Sequence, residues 1–295
     1  MSSLLYRTRS QIFALIEETD EEYSRPLFET SLPYIVELFF SIPANWFGIS
    51  LILLVGPLWT GLILGPNFSE ELNVNLLVAA ILATVPLLIA WGSFLVMGNM
   101  KIVRKLFIGI EVMTLFPLLS LAICHFLIKN PALLSTAIYP LWLWMSSVIV
   151  VMLAKRCALR TRPCVKSKFT KFIENKNFQV LPHALGRLSG NESFPSGDAA
   201  GGMAFALSIA LGGRPDVGIT IAVLVCAGRV YFLAHHVLDT VAGVLITLSV
   251  HVISGFLGIT PTGMSLTCTL FMHVCFVVAF ACFALAKPRS HATDR

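Results

Sequence analysis

The sequence predicts an all-α protein, a polytopic membrane domain of about eight apolar helices. Two observations carry this expectation. Apolar residues make up 56% of the chain and charged residues only 13%, whereas a soluble domain carries about 25% charged residues. The apolar residues also fall in discrete blocks, each near the ~20 residues needed to span the hydrocarbon core. No polar stretch is long enough for a second folded domain.

In chain order, residues 1–45 read as a cytoplasmic N-terminal and interfacial segment. Its start does not resemble a cleavable signal peptide. Arg7, Arg9 and Gln11 interrupt the first apolar residues, and an acidic run follows at Glu17, Glu18, Asp20, Glu21 and Glu22. The stretch 27–43 is apolar but broken by Glu29, Pro33, Glu37 and Pro43, which suits an interfacial or half-inserted helix. The membrane domain is expected over 46–287. Its apolar blocks are 46–64, 76–97, 106–128, 132–154, 195–211, 217–232, 237–256 and 266–286. The blocks 195–211 and 217–232 are short, which implies little tilt or a locally thinned bilayer. Residues 288–295 form a basic tail.

The longest polar interval, 155–194, is strongly basic. Phe169, Phe172 and Phe178 punctuate Lys166, Lys168, Lys171 and Lys176. This pattern suits a loop lying on anionic lipid or a gate for a lipid headgroup. With about eight crossings, both termini and this loop share one face. Of the 21 Lys and Arg residues, all but Lys129 and Arg214 fall on that face. Cytoplasmic loops carry the excess of basic residues, so the face is expected in the cytoplasm, at the endoplasmic reticulum if the cell is eukaryotic. The 7 cysteines show neither a metal spacing nor a disulfide framework and read as small packing residues.

Three short segments concentrate the chemistry. The first holds Lys155 and Arg162, seven apart, then Pro163. The second is Pro195, Ser196, Gly197 and Asp198. The third is Gly228 and Arg229, then His235 and Asp239. One leaves the fourth block, one opens the fifth, and the last closes the sixth and opens the seventh, so all three meet on one face. Phosphoryl transfer explains the residue types. The group spreads negative charge over its oxygens, so a site needs fixed cations and donors. Lys155, Arg162 and Arg229 are the cations, and the Arg forks can grip oxygens in pairs. Ser196 offers a hydroxyl. Gly197 lets a backbone N–H approach at a helix N-terminus, a natural anion site. His235 is the candidate nucleophile. Asp239, four residues on, is expected to reach its imidazole along one helical face.

These segments resemble the type 2 phosphatidic acid phosphatase and vanadium haloperoxidase superfamily. Its pattern is Lys, six residues, Arg-Pro; then Pro-Ser-Gly-His; then Ser-Arg, five residues, His, three residues, Asp. The resemblance covers about residues 155–239 and implies a six-helix catalytic core. It implies that Lys155, Arg162, Ser196, Gly197 and Arg229 bind phosphate. It further implies that His235 forms a phosphohistidine and that Asp239 orients it. No metal or other cofactor is implied for hydrolysis, and vanadate would mimic the phosphate. The implied activity is hydrolysis of a lipid mono- or diphosphate. The expected partners are that lipid and the surrounding membrane lipids, not nucleic acid.

Two positions depart from the pattern. Gly228 stands where the family has Ser, which removes one donor. Asp198 stands where the family has the His that protonates the leaving oxygen. An ordinary aspartate, with pKa near ~3.9, is ionised at neutral pH, so Asp198 puts leaving-group protonation in question. A diphosphate, whose leaving group is a weaker base, would suit such a site; isoprenoid diphosphates are one example. Two alternatives follow: a phosphotransferase using the same phosphohistidine, and a catalytically silent lipid-phosphate-binding or scaffold protein. His236 is expected beside the site, not as its nucleophile. Glu111 is expected to be paired within the membrane. His125 and His273 are expected to be packed or interfacial.

Overall fold

The computed structural model describes residues 2–37, 131–158, 160–166, 192–211, 214–261 and 263–285, with isolated positions between 78 and 128. Apart from those positions, the apolar blocks 46–64, 76–97 and 106–128 lie outside the described residues, as do Glu111 and most of the polar interval. The described residues are helical, with one antiparallel bridge between Thr161 and Glu192. The helices are α1 (Ser2–Glu29), α2 (Pro131–Ala158), α3 (Gly197–Leu211), α4 (Pro215–Tyr231), α5 (Val237–Phe256) and α6 (Leu266–Leu285). A short 3-10 turn, Pro163–Val165, follows α2. Thus the last five expected blocks are helices. About eight crossings are not established by them: two described segments, Ile138–Ala158 and Val237–Phe256, are long and apolar enough to span a bilayer.

Proline opens both α2 and α4, where its fixed φ suits the first turn and its missing N–H costs nothing. Inside the helices, hydroxyls donate to carbonyls one turn back: Ser146 to Trp142, Ser147 to Leu143 and Ser254 to Val250. This gives each hydroxyl a partner within its own helix.

Helix α2 is central and packs against α3, α5 and α6. Its buried Tyr139, Trp142, Trp144 and Met145 join Phe205 of α3 and Phe276 of α6 in the main apolar core. These two tryptophans are therefore core residues. His273 is buried in α6 near Phe276, as expected of a packed histidine, whereas His125 is exposed. Helix α5 instead turns much of its surface outward, with Val241, Leu245, Val252 and Phe256 exposed. An exposed apolar stripe of this kind needs a partner surface, and hydrocarbon supplies one.

Helix α3 is built largely of small residues and lies among α2, α4 and α5. That lets backbones approach closely. The tightest point concerns the site directly. A Cβ at Gly243 of α5 would run into the backbone carbonyl oxygen of Ser196. Two hydrogen bonds hold the same junction: Ser196 N–H to the Asp239 carbonyl at 2.8 Å, and Thr247 Oγ1 to the Ala200 carbonyl at 3.0 Å.

The N-terminal helix α1 packs on α4 and α5. In its last turn Phe28 is fully buried against Val230 and Leu233. Further on, Glu37 is buried and accepts the Tyr231 hydroxyl at 3.2 Å.

Gly243→Ala is expected to lower the apparent melting temperature in detergent and to impair the site, because the opposing atom is backbone and cannot rotate away. The cost should be about 1–3 kcal/mol, as for other overpacked interiors. Gly255→Ala is the control, since a Cβ there meets nothing within 4 Å. Equal melting temperatures for the two variants would refute this account.

Candidate active site

Four helix ends converge: the C-termini of α2 and α4 and the N-termini of α3 and α5. The intervening segments are laced together by backbone. Cys164 N–H donates to the Leu233 carbonyl at 3.0 Å, and Ser193 N–H to the Arg160 carbonyl at 2.6 Å. Leu233, in the turn between α4 and α5, has φ 52° and is fully buried. A side chain in this left-handed region costs roughly 1–3 kcal/mol, which the surrounding packing must offset. The turn carries His235 under the other segments.

Lys155, Arg162, Ser196, Asp198, Arg229, His235 and Asp239 are all buried at this junction, and Gly197 is partly open. The sequence segments therefore meet, and His235 feels the charges of Arg162, Arg229 and Lys155 together. Each cation has a fixed place. Lys155 Nζ donates to the carbonyls of Glu192 at 2.8 Å and Ser193 at 3.4 Å. Arg229 Nη2 lies 2.8 Å from Asp198 Oδ2. Arg162 lies within electrostatic reach of both Arg229 and Asp198. Ser196 caps α3, accepting the Ala199 N–H at 3.2 Å, so its own hydroxyl proton remains available to donate. Arginines held in a dry pocket are costly unless an anion balances them. Asp198 supplies part of that balance.

Asp239 lies beside His235, but by another route than expected. The two do not share a helical face, because α5 begins at Val237, after His235. Asp239 is instead the third residue of α5 and closes a capping box with His236, accepting the His236 N–H at 2.9 Å. Its Oδ2 lies 3.7 Å from His235 Nδ1, too far for a hydrogen bond. Ser193 stands beside both. Its hydroxyl donates to Asp239 Oδ2, and its oxygen lies 3.4 Å from His235 Nδ1. A hydroxyl has one proton, here spent on the carboxylate. Toward His235 it can only accept, so this arrangement favours a proton on Nδ1 and leaves Nε2 with its lone pair.

Arg160 was not singled out by the sequence patterns. Its Nη1 bridges two carboxylates, Asp20 Oδ2 at 2.6 Å and Asp239 Oδ1 at 2.7 Å. Burial alone would disfavour its charge, but Asp239 and Asp20 outweigh that and hold it more firmly charged than usual. Lys166, in the same segment, pairs with Glu17 and with Glu21, the latter at 2.9 Å. The acidic run of α1 thus faces this basic segment. Ser193 and Arg160 sit close in sequence to Ser196 and Arg162, the one signal that pointed toward them. Nothing in the sequence pointed to Asp20. Asp20, His236 and Asp239 bring candidate metal-ligand atoms within 4.8 Å of one another, but Arg160 already bridges two of these groups.

Residues 135–255 match the family model of the PAP2 superfamily. This region of the chain is similar to the PAP2 superfamily. The match runs from within α2 to near the end of α5, so it contains every helix end that forms the site. No curated protein and no solved structure gives a significant match. Members of this superfamily are typically phosphatases and related phosphoesterases, which supports a hydrolase at that coarse level.

Burial, and then the nearby cations Arg162, Arg229 and Lys155, push the His235 imidazole well below its ordinary value, although Asp239 opposes them. The imidazole is therefore neutral in the fold at neutral and mildly acidic pH. Between its folded value and about 6.5, the unfolded chain binds a proton that the folded chain refuses. Stability should thus fall as pH drops below about 6.5, and this contribution should be flat above it. His235→Gln should flatten the acidic side of a plot of apparent melting temperature against pH. Superimposable plots for parent and variant would show that no buried neutral imidazole is present.

Proposed function

We propose that the chain is an integral membrane lipid phosphatase acting through a phosphohistidine. One observation carries the reading. A buried histidine stands among three buried basic side chains, Lys155, Arg162 and Arg229, at one end of a bundle with exposed apolar helix surfaces. The cations suit the oxygens of a transferring phosphoryl group. The apolar surfaces suit a substrate that stays in the bilayer while its headgroup enters the site.

In the proposed first step, His235 Nε2 attacks phosphorus. The bond from phosphorus to the leaving oxygen breaks, and that oxygen keeps the electron pair. Lys155, Arg162 and Arg229 hold the nonbridging oxygens, with Ser196 and the N–H of Gly197 as further donors. In the second step, water attacks the phosphohistidine, the P–N bond breaks and inorganic phosphate leaves. Asp239 and Ser193 keep Nδ1 protonated throughout. No metal enters these steps. The excess of Lys and Arg on the motif face supports a site on the cytoplasmic side.

Asp198 narrows the substrate. Its carboxylate is ion-paired with Arg229, so it is poorly placed to give a proton to a leaving alkoxide. A lipid diphosphate expels a phosphate monoester, a far weaker base that needs less help. The same ion pair supports one other reading, a lipid-phosphate-binding protein without turnover, in which Asp198 holds Arg229 against productive use. Phosphate release by purified protein separates the two.

His235→Ala is expected to abolish phosphate release without loss of expression, and saturating vanadate should inhibit the parent. Comparable release by His235→Ala and parent would end the phosphohistidine reading. Matched lipid mono- and diphosphates should show a strong preference for the diphosphate. Asp198→His should raise monophosphate turnover more than diphosphate turnover. General acid catalysis typically contributes about a hundred- to ten-thousand-fold, so the change should be easy to measure. Equal parental rates on both substrates, unmoved by Asp198→His, would discard the leaving-group argument. For orientation, a cysteine placed at Asn191 should react with an impermeant reagent only after cells are permeabilised. Reaction in sealed cells would place the motif face outside.

A further inference from the structure

We propose that Asp20, on the N-terminal helix, is a positioning residue for His235, acting through Arg160 and Asp239. Only the kinetic arm of its test rests on the phosphatase reading.

Asp20 precedes α3 by a long stretch of chain and lies outside the PAP2-matched region, yet it is only 5% exposed. A carboxylate so buried needs partners. Its Oδ2 accepts Arg160 Nη1 at 2.6 Å, and its Oδ1 accepts the Leu238 N–H at 2.8 Å. One turn on, Ser24 Oγ accepts the Val237 N–H at 3.0 Å. Another turn on, Phe28 packs edge-on to the His236 ring, 6.1 Å between centroids, and against Leu233. Asp20, Ser24 and Phe28 form one stripe at four-residue spacing. That stripe holds the turn from Leu233 to Asp239, which contains His235, from outside.

The charge of Asp20 has a separate task from capping. An asparagine would accept the Leu238 N–H about as well. It would not balance Arg160. With Asp20 ionised, the guanidinium is shared between two carboxylates. Without that charge, Arg160 is drawn wholly onto Asp239, the group that takes the Ser193 hydroxyl proton. The relay from Asp239 through Ser193 to His235 Nδ1 then loosens, and the imidazole can turn or change tautomer. Small misplacements of a reacting group cost up to about a hundredfold in rate.

Full-length Asp20→Asn should therefore lose about ten- to a hundredfold in kcat on a lipid diphosphate with little change in KM, since the phosphate-holding cations are untouched. Ser24→Ala removes a cap but no charge, and should keep kcat within about threefold while lowering the apparent melting temperature. The second measurement does not need activity. Ring-nitrogen NMR of 15N-histidine-labelled protein, with His235 assigned by its Gln variant, should report Nδ1–H in the parent and a mixed tautomer in Asp20→Asn. If Asp20→Asn does not fold, Arg160→Lys carries the test. It keeps the charge but lacks the planar fork, and should show the same loss and the same mixing. Parental kcat together with an unchanged His235 tautomer overturns the proposal. A parent that releases no phosphate, while Asp20→Asn still changes the tautomer, keeps the proposal and removes the phosphatase reading instead.

Discussion

The Asp239 carboxylate organises the rest of the site. One oxygen binds Arg160, and the other accepts the His236 N–H and the Ser193 hydroxyl. Its backbone carbonyl accepts the Ser196 N–H. One residue therefore joins the first segment, the segment before α3, the turn carrying His235 and the start of α5. Its position near the N-terminus of α5 is itself favourable, since a helix start attracts negative charge. The i+4 spacing from His235 is retained, but its physical meaning differs from that of a helical pair. It is the distance from a residue outside the helix to the capping position within it.

Charge balance governs what surrounds that anchor. Arg162 is buried close enough to both Lys155 and Arg229 to be repelled by them, and buried like charges are tolerated only with compensation. Carbonyls of Glu192 and Ser193 receive Lys155, and Asp198 receives Arg229. A negatively charged ligand would complete the balance, which is why the cluster suits a phosphoryl group better than a neutral substrate. The same balance makes Asp198 consequential. A histidine in its place would leave Arg229 less neutralised than the aspartate does. Farther out, Glu17, Asp20 and Glu21 face Arg160 and Lys166, so the acidic run of α1 has a defined counterpart.

Close backbone packing sets the scale on which this works. The glycine at 243 lets α5 lie against the Ser196 carbonyl, and the small residues of α3 let it sit among three neighbours. Larger side chains would separate the helix ends, and contacts of under 3 Å would be lost. Rigid helices then hold the polar residues in place, while the outer surface of α5 stays apolar and exposed.

The local patterns of the sequence determined the helical class and the approximate extents of the last five apolar helices, and they singled out Lys155, Arg162, Ser196, Gly197, Asp198, Arg229, His235 and Asp239, which the fold brings together. Such features are short-range: apolar runs, prolines at helix starts and spacings within one segment. The tertiary structure decided the rest. It placed Ser193 between Asp239 and His235, set Arg160 between two aspartates, paired Asp198 with Arg229 and docked α1 on the site. None of these was legible beforehand, because each joins residues whose proximity depends on how separate helices pack. The stripe of Asp20, Ser24 and Phe28 makes the reason plain. In sequence it is three unlike residues in an acidic, amphipathic helix. Only when α1 lies across α4 and α5 do the three acquire a common neighbour in the turn that bears His235.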